Sequence, residues 1–253
     1  MSLRFSVITV VYNAESVIEK TMLSVVSQTY LPYEYIIIDG KSSDDTLLIV
    51  KDVIKSYEKS GIIFKLISEK DNGIFNAMNK GIRNATGDFI SFLNAGDWYE
   101  KGALETINNL YERESFDLTY GGLHYINPDG SIINKMSCMD HIVSSRNWNH
   151  PSMFLRTELY KKYYFDEKYK ICSDFDLYLK LRKAKVKIVI CDKVLTNFVA
   201  DGVSTSTSKE NVKQRAKEKY SAYRENGYSK LYWLECYLWE EFKRFYFTIK
   251  KKK

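Results

Sequence analysis

The chain of 253 residues is 45% hydrophobic and 28% charged, with a formal net charge of +6, which excludes an intrinsically disordered protein and suits one large α/β domain or a domain with an appendage. No apolar run approaches the roughly 18 to 20 residues that a membrane-spanning helix requires, and the four cysteines form no C-x-x-C pair. The N-terminus has no secretory leader pattern, so we expect a cytoplasmic protein, with a peripheral position on the inner face of the membrane left open.

The N-terminal part of the chain alternates between two hydrophobic periodicities. Short β-branched or aromatic runs predict strands covered on both faces, at Phe5 to Val11, Tyr35 to Ile38, Ile62 to Ile67 and Phe89 to Leu93. Apolar residues at helical spacing predict helices at Ser16 to Gln28, Thr46 to Tyr57 and Ile74 to Ala85. Because strand and helix alternate, we expect an α/β fold with a mostly parallel, doubly wound, Rossmann-like sheet.

The second half of the chain is less regular. Leu118 to Ile126, followed by "NPDG", predicts a strand and a tight turn. Asp174 to Ala184 predicts a helix whose leucines are partly buried, and "VKIVIC" from Val186 predicts a further strand. The leucines of that helix are Leu177, Leu179 and Leu181.

Two carboxylates follow predicted strands at the point where each strand ends. Asp97 comes after "FISFL" on the turn "NAGD", and Asp39 comes directly after "YIII". Because ligands of open α/β sheets bind outside the carboxyl ends of the strands, we expect both side chains at one sheet edge. Carboxylates beside backbone N–H donors suit a divalent cation and a diphosphate. Turn chemistry alone explains "NAGD" equally well, and Asp44 before the next helix is better explained as a cap.

Four segments carry a family resemblance through their order and spacing. "FSVITVVYNAE", "YIIIDGKSSDDT", "EKDNGIFNAMNKGIRNATGDFISFLNAGDWY" and "CSDFDLYLKL" resemble the family 2 glycosyltransferases of GT-A fold, particularly those that build bacterial surface polysaccharides such as O-antigen or capsule. The match covers roughly residues 3 to 205. It implies a GT-A catalytic domain over residues 1–207, and residues 208–253 are expected to form a basic, aromatic-rich helical tail.

The resemblance implies a nucleotide-sugar site at the ends of the first strands. Thr9, Val11 and Asn13 would line the nucleotide pocket, and Asp39 would hydrogen-bond the uracil of a UDP-sugar. The loop and helix of "DNGIFNAMNKG" would border the nucleotide and the donor sugar, through Asn72, Gly73, Asn79 and Lys80.

The resemblance also implies a metal site and a general base. Asp97 would be the carboxylate of the family's D-x-D motif, holding Mn²⁺ or Mg²⁺, and Asp174 in "CSDFDL" would be the base. Asn94 and Gly96 stand where further acidic residues are common, so the metal site rests on Asp97 with Asn94 as a neutral helper, and weaker metal affinity is expected. Ser173 replaces a common Glu, which removes an acidic contact near the acceptor.

The implied reaction is a single displacement with inversion, in which a carboxylate takes the acceptor proton and a metal neutralises the leaving diphosphate. Positions i and i+2 of a helix point about 200° apart, so Asp174 and Asp176 cannot both face one substrate. The family pattern selects Asp174, and Asp176 is expected to be exposed or capping. His150 in "NWNHPSMF" is a candidate for the acceptor or diphosphate side, with a structural hydrogen-bonding role as the alternative.

Two further segments are weaker candidates. His124 and His141 have no ligand spacing with each other or with a cysteine, which argues against a zinc site. The polar segment "GVSTSTS", Gly202 to Ser208, could close over a nucleotide as a lid or serve as an ordinary linker.

The C-terminal tail combines basic charge with an apolar stripe. Residues 209 to 253 hold 13 of the 38 Lys and Arg residues and 6 of the 32 Asp and Glu residues, leaving the rest nearly neutral. An apolar stripe is expected on a helix, at Leu231, Leu234, Leu238, Phe242, Phe245 and Ile249. With the Lys250 to Lys253 cluster, residues 228–253 suit an anionic membrane surface, whereas packing on the catalytic domain or a second subunit explains the stripe equally well.

The sequence therefore predicts a glycosyltransferase that moves a sugar from a nucleotide sugar to a lipid-linked or growing surface glycan. A UDP-sugar is the favoured donor. A non-catalytic scaffold related to these enzymes is the alternative that fits the thinned acidic motif. A sugar nucleotidyltransferase fits less well, because "VVYNAES" is not a Gly-rich basic loop. Nucleic-acid binding is not expected, since the basic charge is not spread over a body face among aromatic platforms.

Overall fold

The structure is a computed structural model that describes residues 2–139, 143–144, 146–202 and 204–250. The chain divides into two compact units, unit 1 with Met1–Tyr164 and Val186–Val199, and unit 2 with Phe165–Lys185 and Ala200–Lys253. His141, Val203 of the "GVSTSTS" segment and residues 251–253 lie outside the described residues, as do the side chains of Phe245 and Ile249.

Unit 1 is built on one sheet with helices. Its strands are β1 (Phe5–Val11), β2 (Glu34–Asp39), β3 (Ile63–Ser68), β4 (Phe89–Phe92), β5 (Trp98–Tyr99), β6 (Leu118–Ile126), β7 (Ile132–Lys135), β8 (Met153–Arg156) and β9 (Ile188–Val199). Its helices are α1 (Ile18–Val26), α2 (Thr46–Ser56), α3 (Ile74–Asn84), α4 (Ala103–Arg113) and α5 (Thr157–Tyr163). The α/β fold class predicted from the sequence is confirmed.

The N-terminal half of the sheet is parallel, as the alternating pattern predicts. The strand order begins β3-β2-β1-β4, and all three pairings are parallel. Val11 lies opposite Asp39, and Asp39 lies opposite Ser68 on β3. The carboxyl ends of these strands therefore meet at one edge, where a ligand site is expected.

The other half of the sheet makes it mixed. The order continues β8-β6-β9-β5, with β7 added beside β6. β8 runs antiparallel to both β4 and β6, and β9 runs parallel to β6 and antiparallel to β5. Antiparallel neighbours need no helical crossover between them, so the helix–strand alternation that revealed the first half is missing here.

The core of unit 1 surrounds the central strands. Every residue of β1, β2 and β4 is buried, whereas β3 is half-buried or exposed along its length. The prediction that the third strand is covered on both faces is therefore wrong: β3 is the last strand of the sheet, and none of its residues is fully buried. The turn predicted at "NPDG" is confirmed, since the Asn127 carbonyl accepts the Gly130 N–H (2.9 Å) between β6 and β7.

Unit 2 is helical, with α6 (Ser173–Lys183), α7 (Lys209–Glu225) and α8 (Tyr232–Lys250). The predicted helical tail is confirmed. Ser208 is the N-cap of α7, and its hydroxyl accepts the Asn211 N–H (3.2 Å). The three leucines of α6 predicted to be partly buried are fully buried. No helix in the described residues is both long and apolar enough to cross a membrane.

Candidate active site

The candidate site of unit 1 begins at the carboxyl end of β2, where Asp39 organises the following loop. Its buried carboxylate accepts the backbone N–H groups of Lys41 (3.0 Å) and Ser42 (3.2 Å) and the hydroxyl of Ser68 (2.6 Å). The Ser42 hydroxyl donates to it as well. A carboxylate has about four acceptor positions, and the chain's own donors already use them. Contact with a uracil would therefore require one of these donors to give way.

The loop after β1 is joined to the loop after β2 by polar contacts. Asn13 has a positive φ of 47°, its N–H donates to the Ser42 hydroxyl (2.9 Å), and its side-chain oxygen accepts the Ser43 N–H (2.8 Å). Asp44 accepts the N–H groups of Glu15 (3.2 Å) and of Thr46, the first residue of α2 (3.1 Å). The N-cap residue of α2 is Asp45 rather than Asp44, and the Asp44 side chain instead accepts the N–H of the first helical residue from one position further out.

Thr9 and Val11 face the interior of the sheet rather than an open pocket. The buried Thr9 hydroxyl lies 2.7 Å from the Leu93 carbonyl, to which it donates, and 2.8 Å from the Tyr35 hydroxyl. Val11 is buried in the core cluster. Both residues shape the β1 terminus through packing, so any nucleotide contact from them would be made by backbone.

The β3–α3 loop approaches the same edge. A Cβ atom added at Gly40 would lie 3.1 Å from an Asp71 carboxylate oxygen and 3.3 Å from the Tyr12 ring, so a larger residue would require one of these side chains to shift by a few tenths of an ångström. Tyr12 is 63% exposed. Tyr12 and Asp71 were not among the predicted site residues, although each lies inside a motif that carried the resemblance, beside Asn13 and Asn72.

Lys80 points its ammonium at two carboxylates of this loop, Asp71 (2.6 Å) and Glu69 (2.8 Å). Burial alone would lower the pKa of Lys80, but the hydrogen bonds to these carboxylates raise it above its ordinary value. Asn79, its neighbour on α3, is buried.

The start of α3 is formed by two of the predicted site residues. Gly73 precedes the helix with a φ of 110°, which favours glycine. Asn72 is exposed, and its N–H donates to the Asn76 side-chain oxygen (3.3 Å). The loop therefore enters α3 through the positive φ of Gly73, which the glycine of the "DNG" sequence allows.

The "NAGD" turn after β4 brings Asn94 and Asp97 to its two ends. The Asp97 N–H donates to the Asn94 carbonyl (3.1 Å), and Gly96 between them has a φ of 101°, the conformation that a type II turn requires. One oxygen of the buried Asp97 carboxylate accepts the Val199 N–H (3.0 Å). The side-chain oxygen of Asn94 is buried and has no hydrogen-bond partner in the described part of the chain.

These two residues fit a divalent cation. Mg²⁺ and Mn²⁺ take oxygen ligands, and Mg²⁺ at nucleotide sites commonly has one or two protein ligands, the rest coming from phosphates and water. Asp97 and Asn94 supply one carboxylate and one unsatisfied amide oxygen. The described residues contain no group of three or more His, Cys, Asp or Glu side chains that could hold a metal without such additional ligands.

His150 opens a short 3₁₀ helix, His150–Ser152, beside the end of β4. Its ring stacks on Phe92, with centroids 5.9 Å apart, and meets Trp148 edge-on at 5.9 Å. Burial lowers the pKa of His150 to about 4, so the imidazole is neutral at pH 7. A neutral imidazole brings no positive charge to a diphosphate but keeps one N–H donor, so the acceptor-side, diphosphate-side and structural roles of His150 all stay predictions.

Asp174, in unit 2, is the second residue of α6. The residue as a whole is half-buried, and its carboxylate accepts the Phe175 N–H (2.8 Å). Burial raises the pKa of Asp174 to about 6, an effect that the nearby Lys219 opposes and Glu218 reinforces. A carboxylate that titrates near neutral pH is suited to general-base chemistry.

Asp176 differs from its prediction as an exposed or capping residue. Its side chain is buried, accepts the Asn226 side-chain N–H (2.8 Å) and pairs with Lys180 (2.7 Å). The prediction was wrong because α6 is covered around most of its circumference, and a buried carboxylate requires such partners.

The structure thus brings Asn13, Asp39 and Lys80 to the carboxyl ends of β1, β2 and β3, with the Asn94–Asp97 turn after β4. Thr9 and Val11 support this edge from the core. His150 lies against the last residue of β4, and Asp174 belongs to unit 2.

The amino-acid sequence was compared with family models and with characterised proteins. The model of the Glycosyl transferase family 2 matches residues 6–185. The amylovoran biosynthesis glycosyltransferase AmsB of Erwinia amylovora is 30% identical over 211 residues, which cover 77% of this chain and 69% of AmsB.

Two solved structures share the fold at low sequence identity. S. aureus TarS 1–349 in complex with UDP-GlcNAc aligns with a TM-score of 0.67 and 19% identity, covering 95% of this chain and 73% of TarS 1–349. The mannosyltransferase PcManGT from Pyrobaculum calidifontis, in complex with GDP-Man and Mn²⁺, aligns with a TM-score of 0.64 and 16% identity, covering 95% of this chain and 69% of PcManGT. At these identities the likeness concerns the fold, which is that of GT-A glycosyltransferases.

Proposed function

Because the chain belongs to the Glycosyl transferase family 2, we propose that it is an inverting, metal-dependent enzyme that transfers a sugar from a nucleotide sugar to a lipid-linked or growing cell-surface glycan. The observation that carries the proposal is the Asn94–Asp97 turn, which presents a carboxylate and an unsatisfied amide oxygen after β4. The UDP-GlcNAc complex of TarS supports a UDP-linked donor, and the name of AmsB supports a polysaccharide acceptor.

In the proposed mechanism, the acceptor hydroxyl attacks the anomeric carbon while the bond to the nucleotide diphosphate breaks on the opposite face. Asp174 takes the hydroxyl proton, because its carboxylate is ionised above about pH 6. Asp97 and Asn94 would hold a Mn²⁺ or Mg²⁺ ion, which would supply positive charge to offset the negative charge of the leaving diphosphate. The Mn²⁺ of the PcManGT complex supports this choice of metal.

The donor itself is held by the edge of unit 1. Tyr12 offers an exposed ring for base stacking, and Asp39 fixes the loop after β2 by accepting the Lys41 and Ser42 N–H groups. Lys80 of α3 pairs its positive charge with the two carboxylates of the loop that follows β3. We propose that this pairing orients the Asn72–Gly73 loop around the nucleotide.

The C-terminal helix α8 supports a peripheral position on an anionic membrane. Leu234, Leu238 and Phe242 of the predicted stripe are exposed, and the stripe leads into the basic end of the chain. An enzyme whose acceptor is carried on a lipid would gain from this placement, because acceptor and protein would be confined to one surface.

A thermal-shift screen tests the donor site. UDP-, GDP-, CDP- and dTDP-linked sugars are each added with Mn²⁺ and with EDTA, to wild-type protein and to Asp97→Ala. A ligand that binds the native state raises the Tm, so we expect a metal-dependent rise with UDP-sugars that is lost in Asp97→Ala. No shift with any nucleotide and metal would argue for the non-catalytic scaffold.

A further inference from the structure

Glu218, on α7, holds the backbone that leads to the candidate base. Its buried carboxylate accepts the backbone N–H groups of three consecutive residues, Lys170 (2.9 Å), Ile171 (2.8 Å) and Cys172 (2.9 Å). Gln214, one turn earlier on α7, donates to the same carboxylate (2.7 Å). Both oxygens of Glu218 are therefore used, and most of their donors are main-chain groups.

The three anchored residues lie outside any helix or strand, and Cys172 directly precedes α6. A buried N–H group left without a partner costs about 1–3 kcal/mol. Three such groups converging on one carboxylate fix the course of this segment, which no regular ladder holds. Asp174 follows Cys172 by two residues, so its place depends on that course.

We propose that Glu218 is a positioning residue for Asp174, which holds the start of α6 so that the Asp174 carboxylate can accept the proton of an acceptor hydroxyl. The inference rests on the proposed role of Asp174 as the base. Glu218 lies on α7 (Lys209–Glu225), outside the part of the chain that the family model matches, which ends at residue 185. The inference therefore gives a functional role to a residue that the family match does not cover.

The charges around Asp174 are consistent with this role. Lys219 and Glu218 of α7 act on the pKa of Asp174, and the Asp174 charge in turn adds to the rise in the pKa of the buried Cys172 thiol, which burial causes in the main. Burial raises the pKa of Asp174, the negative charge of Glu218 adds to that rise, and Lys219 opposes it. A neutral residue at position 218 should therefore lower the pKa of Asp174.

The test compares Glu218→Gln with Glu210→Gln in the full chain. Glu218→Gln removes the charge and turns an amide NH₂ group toward N–H donors, whereas Glu210 is exposed in the first turn of the same helix. Hydrogen exchange reports on the 170–172 amides, and carboxyl NMR, assigned with Asp174→Asn, reports on the titration of Asp174. We expect exchange at least about tenfold faster, corresponding to the loss of ~1.4 kcal/mol, and a lower pKa of Asp174 in Glu218→Gln only. Wild-type exchange in folded Glu218→Gln would overturn the proposal.

A kinetic measurement separates this inference from the proposed function. The probe is hydrolysis of UDP-GlcNAc with Mn²⁺, in which water takes the place of the acceptor. We expect Glu218→Gln to lower kcat about 10- to 100-fold with KM nearly unchanged, and Glu218→Asp to recover part of the rate and of the exchange protection.

The outcomes for Asp174→Asn decide which idea fails. If Asp174→Asn hydrolyses UDP-GlcNAc at the wild-type rate, the base role fails, and so does positioning on its behalf. If Asp174→Asn is inactive while Glu218→Gln loses exchange protection without any loss of kcat, the positioning role alone fails. If wild-type protein does not hydrolyse UDP-GlcNAc, the exchange and titration results alone decide the role of Glu218.

Discussion

The polar residues of the candidate site differ in how far the chain itself satisfies them. The Asp39 carboxylate accepts hydrogen bonds from its own loop and from Ser68, whereas the buried side-chain oxygen of Asn94 has no partner among the described residues. An unsatisfied buried oxygen costs free energy, and a bound cation would remove that cost. Asn94 is therefore a stronger indication of a cation site than Asp39.

Asn94→Asp is expected to strengthen metal binding. The change keeps the size of the side chain and gives the turn a second carboxylate beside Asp97, which a hard divalent cation prefers to an amide. We expect the Mn²⁺ concentration for half-maximal UDP release to fall about tenfold, measured by metal titration at fixed donor. Asn109→Asp, on the exposed face of α4, adds the same charge elsewhere and serves as control.

The outcome for Asn94→Asp bears directly on the metal site. Unchanged metal dependence in Asn94→Asp, together with normal folding, would show that Asn94 does not face the cation. A similar change in Asn109→Asp would instead assign the effect to net charge.

The raised pKa of Asp174 predicts opposite effects on activity and stability. Below about pH 6 the carboxylate is protonated, so transfer should fall tenfold per pH unit as the pH decreases through that range. Because the folded pKa lies above the unfolded one, ionised Asp174 costs stability above about pH 6 and costs nothing once the pH is below the unfolded value.

Asp174→Asn is therefore expected to abolish transfer and to stabilise the fold at pH 7.5 by about 1–3 kcal/mol. Urea unfolding at pH 7.5 and at pH 4 measures the difference, which should shrink at the lower pH. A less stable Asp174→Asn protein at pH 7.5 would mean that the carboxylate is held by favourable contacts, as a structural residue is.

At the scale of elements, the hydrophobic periodicity of the sequence predicted the individual strands and helices of the N-terminal half. The runs of β1, β2 and β4 and the stripes of α1, α2 and α3 gave their positions to within a few residues, because each is covered by its sequence neighbours. β8 escaped prediction because its four residues are defined by antiparallel pairing with β4 and β6, which are distant in sequence.

The site shows the same division. The residue types at strand ends indicated the edge and the Asn94–Asp97 turn in advance. The partners of Asp39, Asp176 and Glu218 could not be predicted, because they come from other loops or helices. Periodicity also gave no sign that α6 belongs to the same compact unit as α7 and α8.

The pairing of α7 with α8 depends on a buried group of charges. Glu240 of α8 bonds both Arg215 (2.8 Å) and Lys219 (2.7 Å) of α7, and all three side chains are at most 10% exposed. Glu240→Ala would leave two buried cations without their carboxylate, so we expect a loss of about 3–5 kcal/mol in unfolding free energy. Glu241→Ala removes only the surface pair with Arg244 and should cost at most about 1 kcal/mol.

Urea unfolding followed by circular dichroism measures both variants of α8. Equal effects of Glu240→Ala and Glu241→Ala would mean that α8 does not pack on α7 through this group. Glu240→Gln provides an intermediate step, because it keeps a hydrogen-bonding oxygen and loses the charge.

For the whole molecule, the uneven distribution of charge predicts binding to an anionic membrane surface. The basic excess lies in residues 209 to 253, and the same segment presents Leu234 (49% exposed), Leu238 (59%) and Phe242 (57%). Apolar side chains enter the lipid interface while lysines near its surface gain about 1 kcal/mol each from anionic lipid. We therefore expect the full chain to float with phosphatidylglycerol vesicles, not with phosphatidylcholine vesicles, and to be released by about 0.5 M salt, where screening is strong.

A matched pair of variants distinguishes lipid binding from general stickiness. Leu234→Ser/Leu238→Ser removes apolar area from α8 and should weaken vesicle binding at least about tenfold, whereas Leu48→Ser removes an equally exposed leucine (58%) from α2 and should leave it unchanged. Sedimentation velocity without lipid tests the alternative that a second copy of the chain packs on the apolar face of α8. If the wild-type chain is a dimer that the double variant converts to monomer, and neither binds vesicles, the apolar face of α8 is a subunit interface and the membrane proposal is wrong.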